Sequence, residues 1–241
     1  RLLAKQKKVF WNWEAGTGKS KGAIAAKAHL EDLTGKPVKM IVAMPAKLLA
    51  NFRDEVTKFS NYKVVMVNDQ TPEQRRKLYN SDPDTIVLVN KEKMNFDKAA
   101  INAAGFGLVV ADEAHKITQR EGRGKSQMSR GLAEAGANAP YYIAMSGTPA
   151  PDDLSQIYFH ANIMNPERFS SQKEFMHLFG SVHKGAGYKG QVQGFMEQYL
   201  GDYIHTRKKK ARTYDFNLHT HEVELHPEQK KAYKEATDAY R

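Results

Sequence analysis

Four residues have the types and the order needed to handle a triphosphate. Lys19 and Ser20 close the run Glu14-Ala15-Gly16-Thr17-Gly18-Lys19-Ser20, and Asp112 and Glu113 open Asp112-Glu113-Ala114-His115. In a P-loop, glycines let successive backbone N–H groups converge on phosphate oxygens, and a helix starting at Lys19 adds the positive end of its dipole. Lys19 is then expected to reach the β- and γ-phosphates of ATP. Ser20 offers its hydroxyl to Mg²⁺, an ion that takes few protein ligands and keeps water and phosphate oxygens for the rest. The generic pattern G-x-x-x-x-G-K-[ST] fails at its first glycine, where Trp13 stands, and an ordinary glycine-rich turn is the alternative. The apolar run Leu108-Val109-Val110-Ala111 delivers the two carboxylates at a strand end, which is where open α/β sheets bind ligands. Asp112 is expected in the Mg²⁺ shell, and Glu113 beside the attacking water that it would orient and polarise. A GTPase or small-molecule kinase would not need that Glu next to the metal-binding Asp. His115 reads either as a link from the nucleotide site to the rest of the protein or as a local cap. Ser146-Gly147-Thr148-Pro149 ends another apolar run and brings two small hydroxyls toward the same edge, although by itself such a sequence is any turn.

These residues need a sheet to hold them. Short runs rich in Val, Ile, Phe and Tyr recur at 8–13, 38–44, 63–67, 85–89, 108–111 and 141–145. Helix-like segments separate them, which predicts an α/β fold with a central parallel sheet covered by helices on both faces. Residues 19–32 and 46–59 fit two of these helices, the second with Leu48, Leu49, Phe52 and Val56 on one face. Thr71 reads as the N-cap of a third, with Pro72 at its first position. Past Met145 the alternation breaks down. Residues 150–205 read as an irregular helical extension in which 185–194, rich in glycine, forms a mobile loop. The basic run Arg207-Lys208-Lys209-Lys210-Ala211-Arg212 follows, then a strand around 220–225 and a helix after Pro227. Residues 1–149 are thus expected to be a core and 150–241 an extension, a basic segment and the start of a linker.

The composition bounds the partners. With 241 residues and 41% apolar content the chain can build a real core. No apolar run approaches the roughly 20 residues that cross a bilayer, so no membrane partner is expected and the chain reads as intracellular, cytoplasmic or nucleoid-associated. The absence of cysteine excludes disulfides, thiolate metal sites and cysteine nucleophiles. A formal charge of +10 favours a polyanion, with nucleic acid ahead of a merely basic surface.

The ordered set EAGTGKS, DEAH and SGTP resembles motifs I, II and III of superfamily 2 helicases and translocases. Residues 41–52, IVAMPAKLLANF, are similar to motif Ia of the Swi/Snf-related branch, and so is the region SGTPAPDDLSQIYFHANIMNPERFSSQKEF after motif III. Residues 203–212 and 223–229 resemble that branch's basic segment and its entry into a second lobe, so the likeness spans nearly the whole chain. The resemblance implies a RecA-like P-loop NTPase lobe, the first of two, with ATP and Mg²⁺ held by residues 14–20 and Asp112. It further implies a DNA-dependent ATPase that tracks along double-stranded DNA by cycles of lobe closure. Pro45, Lys47, Asn90 and Lys91 match the family's positions for the nucleic-acid backbone; physically, Lys47 at a helix start and Asn90-Lys91 at a strand end could donate to phosphates, or be solvated loop residues. The second RecA-like lobe and its arginine are expected outside this chain, and Gln6 stands too close to Glu14 to be the family's adenine-reading glutamine.

Two other classes compete. An AAA-like protein remodeller would use Asn90 as a polar sensor, but its sensor strand follows the acidic strand, whereas Asn90 precedes Asp112. A non-catalytic nucleotide scaffold is at odds with intact Lys19, Ser20, Asp112 and Glu113. The loop 116–130, carrying Lys116, Arg120, Arg123, Lys125 and Arg130 without an aromatic residue, suits phosphate contact or simple solvation. His219, His221 and Glu224 read as a polar strand edge rather than a metal site.

Overall fold

Alternation within each strand builds two separate cores, one on either face of a single sheet. The computed structural model describes residues 2–117, 127–151, 155–178, 188–209, 226–230 and 235. Seven strands run parallel: β1 Lys8–Trp13, β2 Met40–Met44, β3 Lys63–Val67, β4 Thr85–Asn90, β5 Leu108–Ala111, β6 Tyr141–Ser146 and β7 Ile204–Arg207. Their order across the sheet is β3-β4-β2-β5-β6-β1-β7. The helices are α1 Leu2–Gln6, α2 Lys19–Thr34, α3 Leu49–Phe59, α4 Pro72–Tyr79, α5 Lys91–Phe96, α6 Lys98–Ala103, α7 Gln127–Asn138, α8 Ser155–Met164, α9 Gln172–Leu178 and α10 Tyr188–Leu200.

Because successive strand residues point to opposite faces, Val9, Trp11, Trp13, Val42, Met44, Val110 and Met145 pack with α2 and α3. Phe10, Ile41, Ala43, Val109, Ala111, Tyr142 and Ala144 pack with α7, α8 and α10 on the other face. Both faces are covered, as the apolar-rich runs of a parallel sheet flanked by helices require. Gly18 ahead of α2 and Gly35 behind it both adopt the left-handed conformation, and Leu49, Phe52 and Val56 are the buried stripe of α3. Thr71 and Gln74 form a reciprocal capping box at the start of α4, where Pro72 sits at the first position.

Two elements in the region after β6 differ from the sequence reading. Residues 188–194, read as part of a glycine-rich loop, instead begin α10, in which Val192, Phe195, Met196 and Leu200 are buried at helical spacing; 185–187 of that loop lie outside the described residues. Burial of four apolar side chains outweighs the roughly 1 kcal/mol that each of Gly190 and Gly194 costs in a helix. Residues 204–207 are β7, pairing with β1 from Phe10↔Ile204 to Trp13↔Arg207. Residues 1–209 are one compact unit and 210–241 a second. In the second, 227–230 are helical, with the His226 backbone N–H donating to Gln229 Oε1 at 3.1 Å, so the helix expected after Pro227 begins at Pro227 itself. Of the basic loop expected at 116–130, Lys116 ends a short 3-10 turn and 127–130, with Arg130, open α7; 118–126, the expected strand around 220–225 with His219, His221 and Glu224, and Lys210 to Arg212 lie outside the described residues.

Candidate functional site

A parallel sheet puts every strand's C-terminus on one edge, so all the candidate residues gather there. Across that edge stand Asn90 after β4, Pro45 after β2, Asp112 after β5, Ser146 ending β6, the loop 14–18 after β1 and Lys208-Lys209 after β7. At about 4.8 Å per strand, β5 lies about 10 Å from β1 and β4 about 19 Å from it.

The loop after β1 has the backbone that anion binding requires. Gly16 and Gly18 take φ of 75° and 88°, a region costly for side chains bearing a Cβ. Thr17 donates both its N–H (3.2 Å) and its hydroxyl (2.7 Å) to the Glu14 carbonyl, and Lys19 Nζ donates to the Trp13 carbonyl at 3.1 Å. The tryptophan that replaces the generic first glycine has a local reason. Its ring stacks on Trp11 at 4.6 Å, donates through Nε1 to His205 Nδ1 at 2.8 Å, and fills the space over α2 that Gly22 leaves open.

At the end of β5, the Asp112 backbone N–H donates to the Ala43 carbonyl, and Asp112 Oδ1 accepts from the Glu113 backbone N–H at 2.9 Å. Asp112 is 8% exposed. Burial pushes its carboxyl up to about 6; the nearby carboxylates of Glu113 and Glu55 act in the same sense, and the Glu113 N–H and the Lys19 ammonium oppose them. A buried carboxylate of this kind is short of a cation. Among the described residues no cluster of three or more acidic, His or Cys side chains could hold a metal by itself. One buried carboxylate, with a hydroxyl such as that of Ser20 in the first turn of α2, is the kind of donor set that suits a cation drawing its remaining ligands from water and phosphate, as Mg²⁺ does. Glu113 has φ 48°, a left-handed conformation that costs a non-glycine residue about 1–3 kcal/mol and is held here by the turn that follows it.

The acidic turn is tied to β6. His115 Nδ1 is hydrogen-bonded to Ser146 Oγ at 2.8 Å and lies 3.4 Å from Glu113 Oε2, while Ser146 Oγ also accepts from the Thr148 backbone N–H at 3.1 Å. Gly147 is packed so tightly that a Cβ there would sit 3.1 Å from the Trp13 carbonyl and 3.2 Å from the Ala15 nitrogen. Residues 112–115, 146–148 and 13–19 therefore form one interlocked patch.

The four backbone-contact candidates are brought to the edge but not into that patch. Lys47 is exposed in a short 3-10 turn that opens after Pro45. Asn90 caps α5, its Oδ1 accepting from Lys93 N–H at 2.8 Å. Lys91 Nζ donates to the Lys116 carbonyl at 3.1 Å.

Sequence reasoning missed a support beneath the acidic turn. His160, fully buried on α8, is hydrogen-bonded through Nδ1 to the Tyr142 hydroxyl at 2.6 Å and through Nε2 to the Ala114 carbonyl at 2.9 Å. The imidazole thus joins α8, β6 and residues 112–115, and burial, with His115 nearby, holds it neutral with a pKa of about 4. The available signal was a histidine inside the otherwise apolar stretch 157–161.

The fold and the loop define the class: a RecA-like P-loop lobe, with strand β6 between the phosphate-loop strand and the acidic strand. The family follows from comparison. The model of the SNF2-related domain matches residues 12–240, and the chain belongs to that family. The Sulfolobus solfataricus SWI2/SNF2 ATPase core in complex with dsDNA has the same fold, with a TM-score of 0.63 and 19% identity over 83% of this chain and 40% of that one. The ATP-dependent helicase BRM of Arabidopsis thaliana is 22% identical over 200 residues, which are 81% of this chain and 8% of BRM. An uncharacterized ATP-dependent helicase of Mycoplasma pneumoniae is 25% identical over 228 residues, 93% of this chain and 21% of that protein. This chain therefore spans a small part of its curated relatives. No described helix is long and apolar enough to cross a membrane.

Proposed function

We propose that this chain is the first nucleotide-binding lobe of an intracellular SNF2-type motor that hydrolyses Mg-ATP in response to double-stranded DNA. One observation carries the reading: the phosphate loop, the acidic pair and the serine of β6 stand at one sheet edge, with the acidic turn hydrogen-bonded to Ser146 and the loop packed against Gly147. Relatives that are ATP-dependent helicases, and a fold shared with an ATPase core bound to dsDNA, support it.

In this reading residues Glu14 to Gly18 cradle the phosphates, and Lys19 leaves the Trp13 carbonyl for the β- and γ-phosphates. Ser20 and Asp112 hold Mg²⁺, which when bound neutralises charge developing on the transferred phosphoryl group. Glu113 orients the attacking water and accepts its proton. His115 and Ser146, with Gly147 and Thr148, carry changes at Glu113 into β6 and back to the phosphate loop, the coupling a motor needs. Pro45, Lys47, Asn90 and Lys91 form the nucleic-acid side. A second RecA-like lobe supplies an arginine finger, worth about 10³ to 10⁵ in rate. The AAA-like alternative finds little support: Asn90 ends β4, two strands from β5 on the side away from β1.

Mg-ATP binding and turnover in full-length protein carrying Glu113→Gln test the reading against a nucleotide scaffold. The motor keeps ATP affinity within about threefold and loses about 10³-fold in turnover. Unchanged turnover overturns the assignment.

A further inference from the structure

The phosphate loop faces a second lysine. β7 pairs with β1 up to Trp13↔Arg207, and the pairing continues as the Glu14 backbone N–H donates to the Arg207 carbonyl at 3.0 Å. Two residues on, the Lys209 backbone N–H donates to Glu14 Oε2 at 2.7 Å. The side chain then turns over the loop: a Cβ on Gly16 would lie 3.0 Å from Lys209 Cε and 3.2 Å from Lys209 Nζ. The Lys209 ammonium takes part in none of the ion pairs among the described residues. A cation thus stands beside a loop whose Gly16 and Gly18 take left-handed φ, the kind of turn that suits an anion, and its own backbone is anchored to that loop by a carboxylate.

We propose that Lys209 is a further phosphate-binding residue of the nucleotide site, delivered by the segment that leaves β7. The proposal rests on the nucleotide-site reading given above. It also gives a use to the start of the basic run 207–212, which the assigned motifs leave without a role. Glu14 then has two duties: its backbone continues the β1–β7 pairing, and its carboxylate fixes where the second lysine enters.

The test measures Mg-ATP and inorganic tripolyphosphate affinities of full-length wild type, Lys209→Met and Lys209→Arg at low and high salt, with melting temperature as the fold control. Lys209→Met is expected to lose about tenfold for both ligands at low salt, with a smaller loss at high salt and an unchanged melt. Lys209→Arg stays within about threefold of wild type because it keeps the charge. The double variant Glu14→Ala with Lys209→Met binds like Glu14→Ala alone, as two residues acting through one contact should. Equal affinity in wild type and Lys209→Met, or tighter binding in the variant, overturns the proposal. Failure of wild type to bind Mg-ATP at all overturns the nucleotide-site reading, and this proposal with it.

Discussion

The two halves of the functional edge are built differently. Around β5, β6 and β1 most polar groups are tied down: Lys19 on the Trp13 carbonyl, Glu113 N–H on Asp112, His115 on Ser146, Thr148 N–H on Ser146, and His160 on the Ala114 carbonyl. Around β2 and β4 the candidate contacts are an exposed Lys47, a half-buried Pro45, an Asn90 already used as a helix cap and a Lys91 already donating to a carbonyl. Under the proposed function the contrast matches what each half would do. Phosphoryl chemistry needs groups fixed in position before the ligand arrives. Grip on a nucleic-acid backbone needs mainly positive charge within reach, and exposed lysines supply it without a scaffold.

The largest expected effect lies in the support of the interlocked half. His160 is held neutral with a pKa of about 4, against an ordinary 6.5, by burial and by His115 nearby. On unfolding it takes up a proton as pH drops below 6.5. Its contribution to stability is therefore full above about 6.5 and is lost as pH falls through about 4. Wild type should lose about 3 kcal/mol from this group between those limits, and His160→Leu should lack that slope in denaturant titrations followed against pH. An equal slope in both proteins would remove His160 from the support.

Next comes the link itself. Ser146→Ala removes the partner of His115 while leaving the phosphate loop intact. DNA-stimulated turnover of the full-length protein should fall about tenfold, with Mg-ATP affinity changed less than twofold. His115→Ala should match it, and the double variant should be no worse than either. Additive losses would mean that the two act separately.

The smallest effect sharpens the contrast on the other half. Lys47→Ala should weaken duplex DNA binding about threefold and lower the salt dependence of binding by close to one unit. Asn90→Ala should cost about 1 kcal/mol of stability as a lost cap and leave the salt dependence unchanged. Reversed outcomes would exchange the roles of the two residues.

How much was legible in the sequence follows the same division. Strands β1, β3 and β5 are bounded as their runs predict, because the stretches rich in Val, Phe, Trp and Met fill a parallel sheet between turns. The phosphate loop and acidic pair stand out because their chemistry constrains residue type and spacing together. β7 was not legible: its sequence, Ile204-His205-Thr206-Arg207, carries one apolar residue, and it forms by pairing with β1 rather than by burying a face. α10 was obscured by Gly190 and Gly194, whose local signal its buried stripe overrides. The His160 support and the approach of Lys209 to Gly16 join residues far apart in sequence, so neither leaves a local pattern.

The most direct test of the central claim is ATP turnover by the full-length protein, titrated with duplex DNA, beside turnover by the 241-residue chain alone under the same conditions. The account predicts strong stimulation of the full-length protein and near-background turnover by the chain, because the phosphate loop and Glu113 need an arginine from a second lobe. DNA-stimulated turnover by the isolated chain at the rate of the full-length protein, or no response of the full-length protein to duplex DNA, would contradict it.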